Sequence, residues 1–348
     1  MASRIDWRSG PLCSQAPIVR LLFVATNSKR TPAKKSAPAK TRSGKPGGRP
    51  PGAPVVHRAT AADWIAGARL RTLTLSIAPV LLGTASAHSL GDQQWHWVRA
   101  LACLALALFL QIAVNYANDY SDGIRGTDAH RVGPSRLTGS GAAKPRTVLA
   151  VSLTFFGLAA LVGIAIVVET QQYWLLAVGA ACIIAGWFYT GGKRPYGYYG
   201  LGEIFVFVFF GLVATVGTTF VQAGEVNSDA WLSGIAVGFL ACAVLMINNL
   251  RDREQDKVAG KRTISVLIGD RASRATFVVL LLLPFVIVGF FTLFYTAAPL
   301  AFFGLLAALP AALIAITGKT AKEFILALQL TSLTSLIFGL ALGVAIAF

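Results

Sequence analysis

From Arg71 to Phe348 the chain alternates long apolar runs with short polar connectors. Nine runs can be delimited, at about 72–90, 97–117, 147–168, 173–190, 201–222, 231–249, 275–295, 298–317 and 324–348. Each approaches the roughly 20 apolar residues that a helix needs to cross a bilayer. Runs of this length satisfy their backbone hydrogen bonds within one helix, whereas a barrel would show short alternating strands. The pattern predicts an all-α integral membrane protein with about nine transmembrane helices. The least marked boundary is the one at Tyr295 to Pro299, between the seventh and eighth runs.

Composition agrees with that class. The chain is 55% hydrophobic and only 13% charged, with a mean hydropathy of +0.63, against about 25% charged residues in soluble domains. A net charge of +16 invites a nucleic-acid reading, but residues 1–58 hold 12 Lys and Arg against the single acid Asp6 and so carry most of it. That segment, rich in Lys, Ala, Pro, Ser and Gly, has too little apolar surface to offset its ordering entropy. Residues 1–58 are expected to be a disordered basic N-terminal tail, and 59–348 the helical domain. The tail's charge suits anionic lipid headgroups, with an organelle transit peptide or a mis-assigned start as the other readings. Cys13, Cys103, Cys182 and Cys242 show no metal or redox spacing.

Charge also orients the helices. Arg and Lys fall in the tail and after the second, fourth, sixth and eighth runs, and the opposite connectors hold only Arg99 among basic residues. By the positive-inside rule the N-terminus is cytoplasmic and the C-terminus outside, in an inner (plasma) membrane.

The acids are concentrated. Six of the chain's 15 lie in two stretches, Asn115-Tyr-Ala-Asn-Asp-Tyr-Ser-Asp122 with Asp128, and Asn248-Asn-Leu-Arg-Asp-Arg-Glu-Gln-Asp256. Both stretches end apolar runs on the expected cytoplasmic side. At 100° per residue, Asn115, Asn118, Asp119 and Asp122 fall within an arc of about 100°, and so do Asn248, Asn249, Asp252 and Asp256. Asn115 to Asp119 and Asn248 to Asp252 share the spacing Asn-x-x-x-Asp, as an old duplication of a four-helix unit would leave. Two such faces would meet across a central cavity open to the cytoplasmic side. Oxygen ligands of this kind suit magnesium, which uses a few carboxylates together with substrate phosphate oxygens. Arg125, Arg131, Arg136, Lys144, Lys193, Arg194, Lys257, Lys261 and Arg262 stand around the acids. A metal among cations points to a polyanion, and a diphosphate bridged by magnesium to both clusters fits.

From about Ala66 onward the chain resembles the UbiA family of membrane prenyltransferases. Asn118-Asp-Tyr-Ser-Asp122 resembles the family's first Asp-rich motif and Arg251-Asp-Arg-Glu-Gln-Asp256 its second. Four stretches are similar to the branch acting on 1,4-dihydroxy-2-naphthoate in menaquinone biosynthesis: Gly67-Ala-Arg-Leu-Arg-Thr-Leu73, Tyr120 to Asp128, Tyr189 to Tyr198, and Asn248 to Asp252 with Ala259 to Thr263. Asp128, six residues after Asp122, follows that branch. Leu70 and Thr74 stand where it usually has prolines, and Lys193 where an uncharged residue is expected.

The resemblance implies a magnesium-dependent transfer of a polyprenyl group from polyprenyl diphosphate to 1,4-dihydroxy-2-naphthoate, with loss of carbon dioxide, giving demethylmenaquinone. It implies Asp119, Asp122, Asp252 and Asp256 as catalytic metal ligands, helped by Asn118, Asp128 and Asn249. Arg136, Lys144, Arg194 and Lys261 become the candidates for phosphate contact. Tyr116, Trp187, Tyr189, Tyr196 and Tyr198 are candidates to face the allylic cation. Arg69 and Arg71 are candidate anchors for the acceptor's carboxylate, and His130 for a proton transfer. Other acceptors, namely 4-hydroxybenzoate, homogentisate or a chlorophyllide, remain open. So does a secondary transporter, although its acids should sit at mid-membrane, where only Glu203 comes near.

Overall fold

The computed structural model describes residues 58–90, 94–128 and 136–348. The expected tail, except for its last residue, Arg58, lies outside them, as do His130 and Arg131. The described residues form one helical body without strands.

All nine apolar runs become helix. A short α1 (Ala61–Gly67) precedes the first. Its start is fixed by a capping box, in which Thr60 accepts from the Asp63 amide and Asp63 accepts from the Thr60 amide. At Arg69 the backbone turns left-handed (φ 56°), and after one 3-10 turn α2 (Thr74–His88) begins. The two segments are bent by 47°. Then follow α3 (Trp97–Arg125), α4 (Pro145–Thr170) and α5 (Leu175–Phe188). The fifth run is α6 (Gly202–Val206) and α7 (Ala214–Ala223), joined by the π-helical turn Phe207–Val213. The rest comprises α8 (Ser228–Val258), a short α9 (Ile264–Ile268), α10 (Asp270–Phe291), α11 (Leu305–Thr317) and α12 (Ala321–Ala347).

Among the described residues, seven helical stretches are long and apolar enough to cross a membrane, or eight if the bent pair is one span. The fourth run yields the shorter, 14-residue apolar helix α5. Length and composition thus mark seven or eight of the nine expected spans, and α5 stands at the remaining run.

Burial is uneven. In α8, 72% of the apolar stretch is inside the protein, against 22% for α3 and 28% for α4, so α8 is the central helix and the others face lipid on one side. The main core joins α8 to α2, α10, α11 and α12 through Leu82, Leu240, Met246, Phe277 and Phe338. Contacts between helices are close because small residues line them, as membrane packing favours. A Cβ on Gly339 would lie 2.8 Å from the Ala78 Cβ, and one on Gly211 would lie 2.6 Å from the Gly238 Cα. On the other side, between α3, α4, α5 and the π turn, packing opens.

Candidate active site

That opening is a cavity of about 550 Å³ with two chemically distinct zones. Leu106, Leu110, Ile164, Ile183, Phe209 and Val213 form an apolar zone from α3, α4, α5 and the π turn. The C-terminal ends of α3 and α8 bring Asn118, Asp122, Asn249, Asp252 and Asp256 to the same cavity, with Lys261 from the loop beyond α8. Two acidic stretches more than a hundred residues apart in sequence thus converge, as their common face predicts.

Asp122 is the hub. Its carboxylate accepts from the Tyr198 hydroxyl at 2.5 Å and from Lys261 Nζ at 3.1 Å, with Arg136 at 3.6 Å. Lys261 also lies 3.8 Å from Asp256, so one ammonium bridges the two motifs. Tyr198 is flanked by two cations, its ring 4.7 Å from the Lys261 nitrogen and 5.5 Å from the Arg125 guanidinium. Arg125 in turn donates to the carbonyls of Thr190 and Gly192, pinning the α5–α6 loop to the end of α3. In the same loop, Thr190 donates to Asn118 Oδ1 at 2.6 Å and Tyr196 to the Ala185 carbonyl at 2.9 Å. Gly197 is required here: a Cβ would come within 2.6 Å of the Tyr189 carbonyl.

Asp119 has a different place. Its two carboxylate oxygens accept from the backbone amides of Leu137 and Thr138, each at 2.8 Å, and it does not line the cavity. The reason is angular. On α3 the cavity face runs through Gln111, Asn115, Asn118 and Asp122, and Asp119 sits beyond one edge of it, under the returning loop. The cavity-facing Asn-x-x-x-Asp pairs are therefore Asn118 with Asp122 and Asn248 with Asp252, not the register read from Asn115 and Asp119. Asp128 is likewise off the wall, its carboxylate 3.7 Å from Arg136 Nε.

Among the expected phosphate contacts the fold separates two groups. Arg136 and Lys261 line the cavity, and Arg136 Nε and Nη1 are buried donors without a hydrogen-bond acceptor. Burial disfavours the charge of Arg136, but Asp122, Asp128 and the other acids outweigh it and raise the guanidinium's pKa. Lys144 and Arg194 are exposed and not on the wall, and neither are Lys193, Lys257 or Arg262. Positive-inside connectors put them near the site without directing them into it.

In the second motif, Asp252 is clasped by Arg251, which donates to both carboxylate oxygens at 2.7 and 2.5 Å and to Asn248 Oδ1 at 2.9 Å. Asn249 donates to Glu203 Oε1 at 3.1 Å. Glu203 belongs to no motif, and its role in holding Asn249 was missed. The available signal was an acid inside an apolar run, which is costly unless it serves something. Arg251 and Arg125 carried no signal beyond their charge.

Of the aromatic candidates, Tyr189, Tyr196 and Tyr198 line the cavity and Tyr116 and Trp187 do not. Tyr116 is buried against Leu137 and Val148, its hydroxyl donating to the Trp64 carbonyl, and Trp187 packs near Ala113 and Phe156. Burial pushes the phenols of Tyr196 and Tyr198 well above their ordinary value, with Asp122 adding to it at Tyr198. Both are neutral donors at physiological pH. Arg71 is not on the wall and lies beside Gln329 of α12, whose amide oxygen accepts from it at 2.6 Å in the amide orientation that satisfies both groups, whereas Arg69 lines the wall.

No cluster of three His, Cys, Asp or Glu side chains is pre-assembled for a metal among the described residues. The acids instead hold cations: Asp122 with Lys261 and Arg136, Asp252 with Arg251, Asp256 with Lys261.

Residues 76–333 match the model of the UbiA prenyltransferase family. The chain is 46% identical over 302 residues to a 1,4-dihydroxy-2-naphthoate octaprenyltransferase of Mycobacterium tuberculosis, covering 83% of this chain and 98% of that one. It is 38% identical over 239 residues to the Escherichia coli protein of the same description, covering 66% and 76%. The fold is similar to that of a UbiA homolog from Archaeoglobus fulgidus solved bound to GPP and Mg2+, with a TM-score of 0.54 at 17% identity, covering 82% of this chain and 99% of that one.

Proposed function

This chain belongs to the UbiA prenyltransferase family, and we propose that it transfers a polyprenyl group from polyprenyl diphosphate to 1,4-dihydroxy-2-naphthoate with loss of the carboxyl group. The observation that carries the reading is Lys261 lying between Asp122 and Asp256, at the polar end of a cavity otherwise lined by apolar side chains. A diphosphate head and a long apolar tail need that combination in one space.

The donor set fits magnesium in kind: Asp122, Asp252 and Asp256, with the amide oxygens of Asn118 and Asn249, are hard oxygen ligands from two helix ends. When bound, the ion would neutralise the charge that develops on the departing diphosphate. Arg136, with its two unsatisfied donors, and Lys261 would exchange carboxylate partners for phosphate oxygens. Asp119 and Asp128 are assigned as positioning residues, holding the loop that carries Arg136, and Glu203 as the one that orients Asn249.

The carbon–oxygen bond of the donor breaks and the diphosphate leaves with the electron pair. The resulting allylic cation faces the rings of Tyr189 and Tyr196, an attraction worth about 2 kcal/mol when desolvated, and the apolar walls keep water away. The electron-rich ring carbon that bears the carboxylate attacks, forming the new carbon–carbon bond. Its carboxylate then leaves as carbon dioxide, the electron pair returns to the ring, and the quinol form of demethylmenaquinone results. No protein base is consumed.

The acid motifs are inferred to face the cytoplasm and the C-terminus the outside, on the charge asymmetry of the connectors. The names of the curated relatives support the naphthoate over 4-hydroxybenzoate, homogentisate or a chlorophyllide, and over transport. Incubating membranes with carboxyl-labelled naphthoate and polyprenyl diphosphate should release label in step with product. Product that retains the label, or prenylation of 4-hydroxybenzoate alone, would overturn the proposal.

A further inference from the structure

Arg136 offers its two unsatisfied donors from a loop, residues 136–144, that lies between α3 and α4 and outside any helix. Such a loop keeps its place only through its neighbours, and it is held from two sides. On one, Asp119 accepts from the amides of Leu137 and Thr138. On the other lies the segment before the first long helix. The Ala59 amide donates to the Ala142 carbonyl at 3.0 Å, and the capping box then starts α1. Trp64 of α1 and Ala68 at its end pack against the buried cluster of Tyr116, Leu137 and Val148. Consecutive side chains of α3 hold that end of α1 down: Asn115 donates to the Ala68 carbonyl at 2.9 Å and the Tyr116 hydroxyl to the Trp64 carbonyl at 2.5 Å. The closest approach is at Gly67, where a Cβ would lie 3.0 Å from the Tyr116 ring and 3.3 Å from the Leu137 side chain. Leu137 is thus fixed at its amide by Asp119 and at its side chain by α1, and Arg136 directly precedes it. No residue of α1 lines the cavity, so any effect of α1 there is indirect.

Resting on the reading of Arg136 as a phosphate contact, we propose that α1 is a positioning element of the diphosphate site, acting through Leu137 on Arg136, with Tyr116 and Gly67 as its positioning residues. A guanidinium exceeds a point charge as a phosphate partner only when its planar fork is aligned with the oxygens. Alignment is a property of the loop backbone, and α1 closes the side of the loop that Asp119 leaves open.

The test is steady-state kinetics of the full-length protein in membranes, with magnesium pyrophosphate as an inhibitor that reads the head-group site alone. Tyr116→Phe removes one hydroxyl, and Gly67→Val pushes on both Tyr116 and Leu137. Each should raise the KM for polyprenyl diphosphate and the inhibition constant of pyrophosphate by about threefold to tenfold, the size of one lost hydrogen bond. The KM for the naphthoate should stay within about twofold. Arg136→Lys keeps the charge among the acids but loses the fork, and in that background Tyr116→Phe should add little, because substitutions acting through one group are not additive. Multiplicative effects of the two substitutions would overturn the assignment, since α1 would then act by another route. So would a lower kcat and unfolding temperature with both KM values unchanged, the mark of a purely structural role. Failure of the function itself reads differently, because the unsubstituted protein would then show no transfer from polyprenyl diphosphate at all.

Discussion

Asp119 and Asp122 stand three residues apart in one motif and do unlike work. Asp122 is acceptor to a phenol, an ammonium and a guanidinium inside the cavity, whereas Asp119 spends both oxygens on two backbone amides of the loop that carries Arg136. Asp122→Asn keeps the shape but removes the charge that metal and Lys261 require, so turnover should fall by about a thousandfold or more. Asp119→Asn retains one acceptor and should lower activity only about tenfold to a hundredfold, raising the KM for the diphosphate while the magnesium requirement stays. Magnesium titrations of both variants check this, and a shifted requirement in Asp119→Asn would return that residue to the metal. Glu203 gives a second contrast. Glu203→Gln keeps an acceptor for the Asn249 amide and should remain active, whereas Glu203→Leu leaves that amide unpaired and should lose most of kcat, at similar protein levels. Residue chemistry was legible in the sequence, but which of the two acids of the first motif faces the cavity was not. A helical wheel gives an arc, and only the returning loop decides which edge of the arc it covers.

Among elements, the long helices were legible because twenty apolar residues have one physical solution in lipid. The interruptions were less so. The left-handed turn at Arg69 carries no glycine to announce it, and the π turn Phe207–Val213 lies in an apolar run with no mark of its own. Both are imposed by packing against neighbours. Gly211 in the π turn meets Gly234 and Gly238 of α8, and the turn directs Phe209, Phe210 and Val213 into the cavity. The α5–α6 loop is built by short-range contacts that include a glycine no larger residue can replace. Gly197→Ala would push a methyl group against the Tyr189 carbonyl, 2.6 Å away, and the loop must move. Tyr189, Thr190 and Tyr198 move with it, so activity should drop by about tenfold or more, while thermal unfolding, governed by the core around α8, changes little. An unfolding temperature that fell in proportion to activity would show that the loop belongs to the stability core instead.

Across the whole molecule, the acids of one half and the cations of the other meet through few contacts. Asp122 ends α3, Lys261 follows α8, and the Arg262 amide donates to the Tyr198 carbonyl at 2.8 Å beside them. The repeat of Asn-x-x-x-Asp predicted this convergence, because two similar faces on helices four runs apart need a shared ligand to justify like charges. It could not predict that an ammonium, Lys261, stands between the two motifs. That arrangement makes the two halves' union depend on charge balance, and magnesium with a diphosphate would take over the bridging that Lys261 provides. Binding that favours only the folded state stabilises it by about 2.7 kcal/mol at a hundredfold excess over Kd. A non-reactive polyprenyl diphosphate analogue with magnesium should therefore raise the unfolding temperature of the detergent-solubilised protein, and the analogue without magnesium should do so much less. In Lys261→Ala, Asp122 and Asp256 lose their common partner, so the ligand-free protein should unfold at a lower temperature. Added analogue and magnesium should then recover most of that loss, because the metal supplies the missing positive charge. A variant equally unstable with and without the ligand would place the diphosphate elsewhere than between the two acidic motifs.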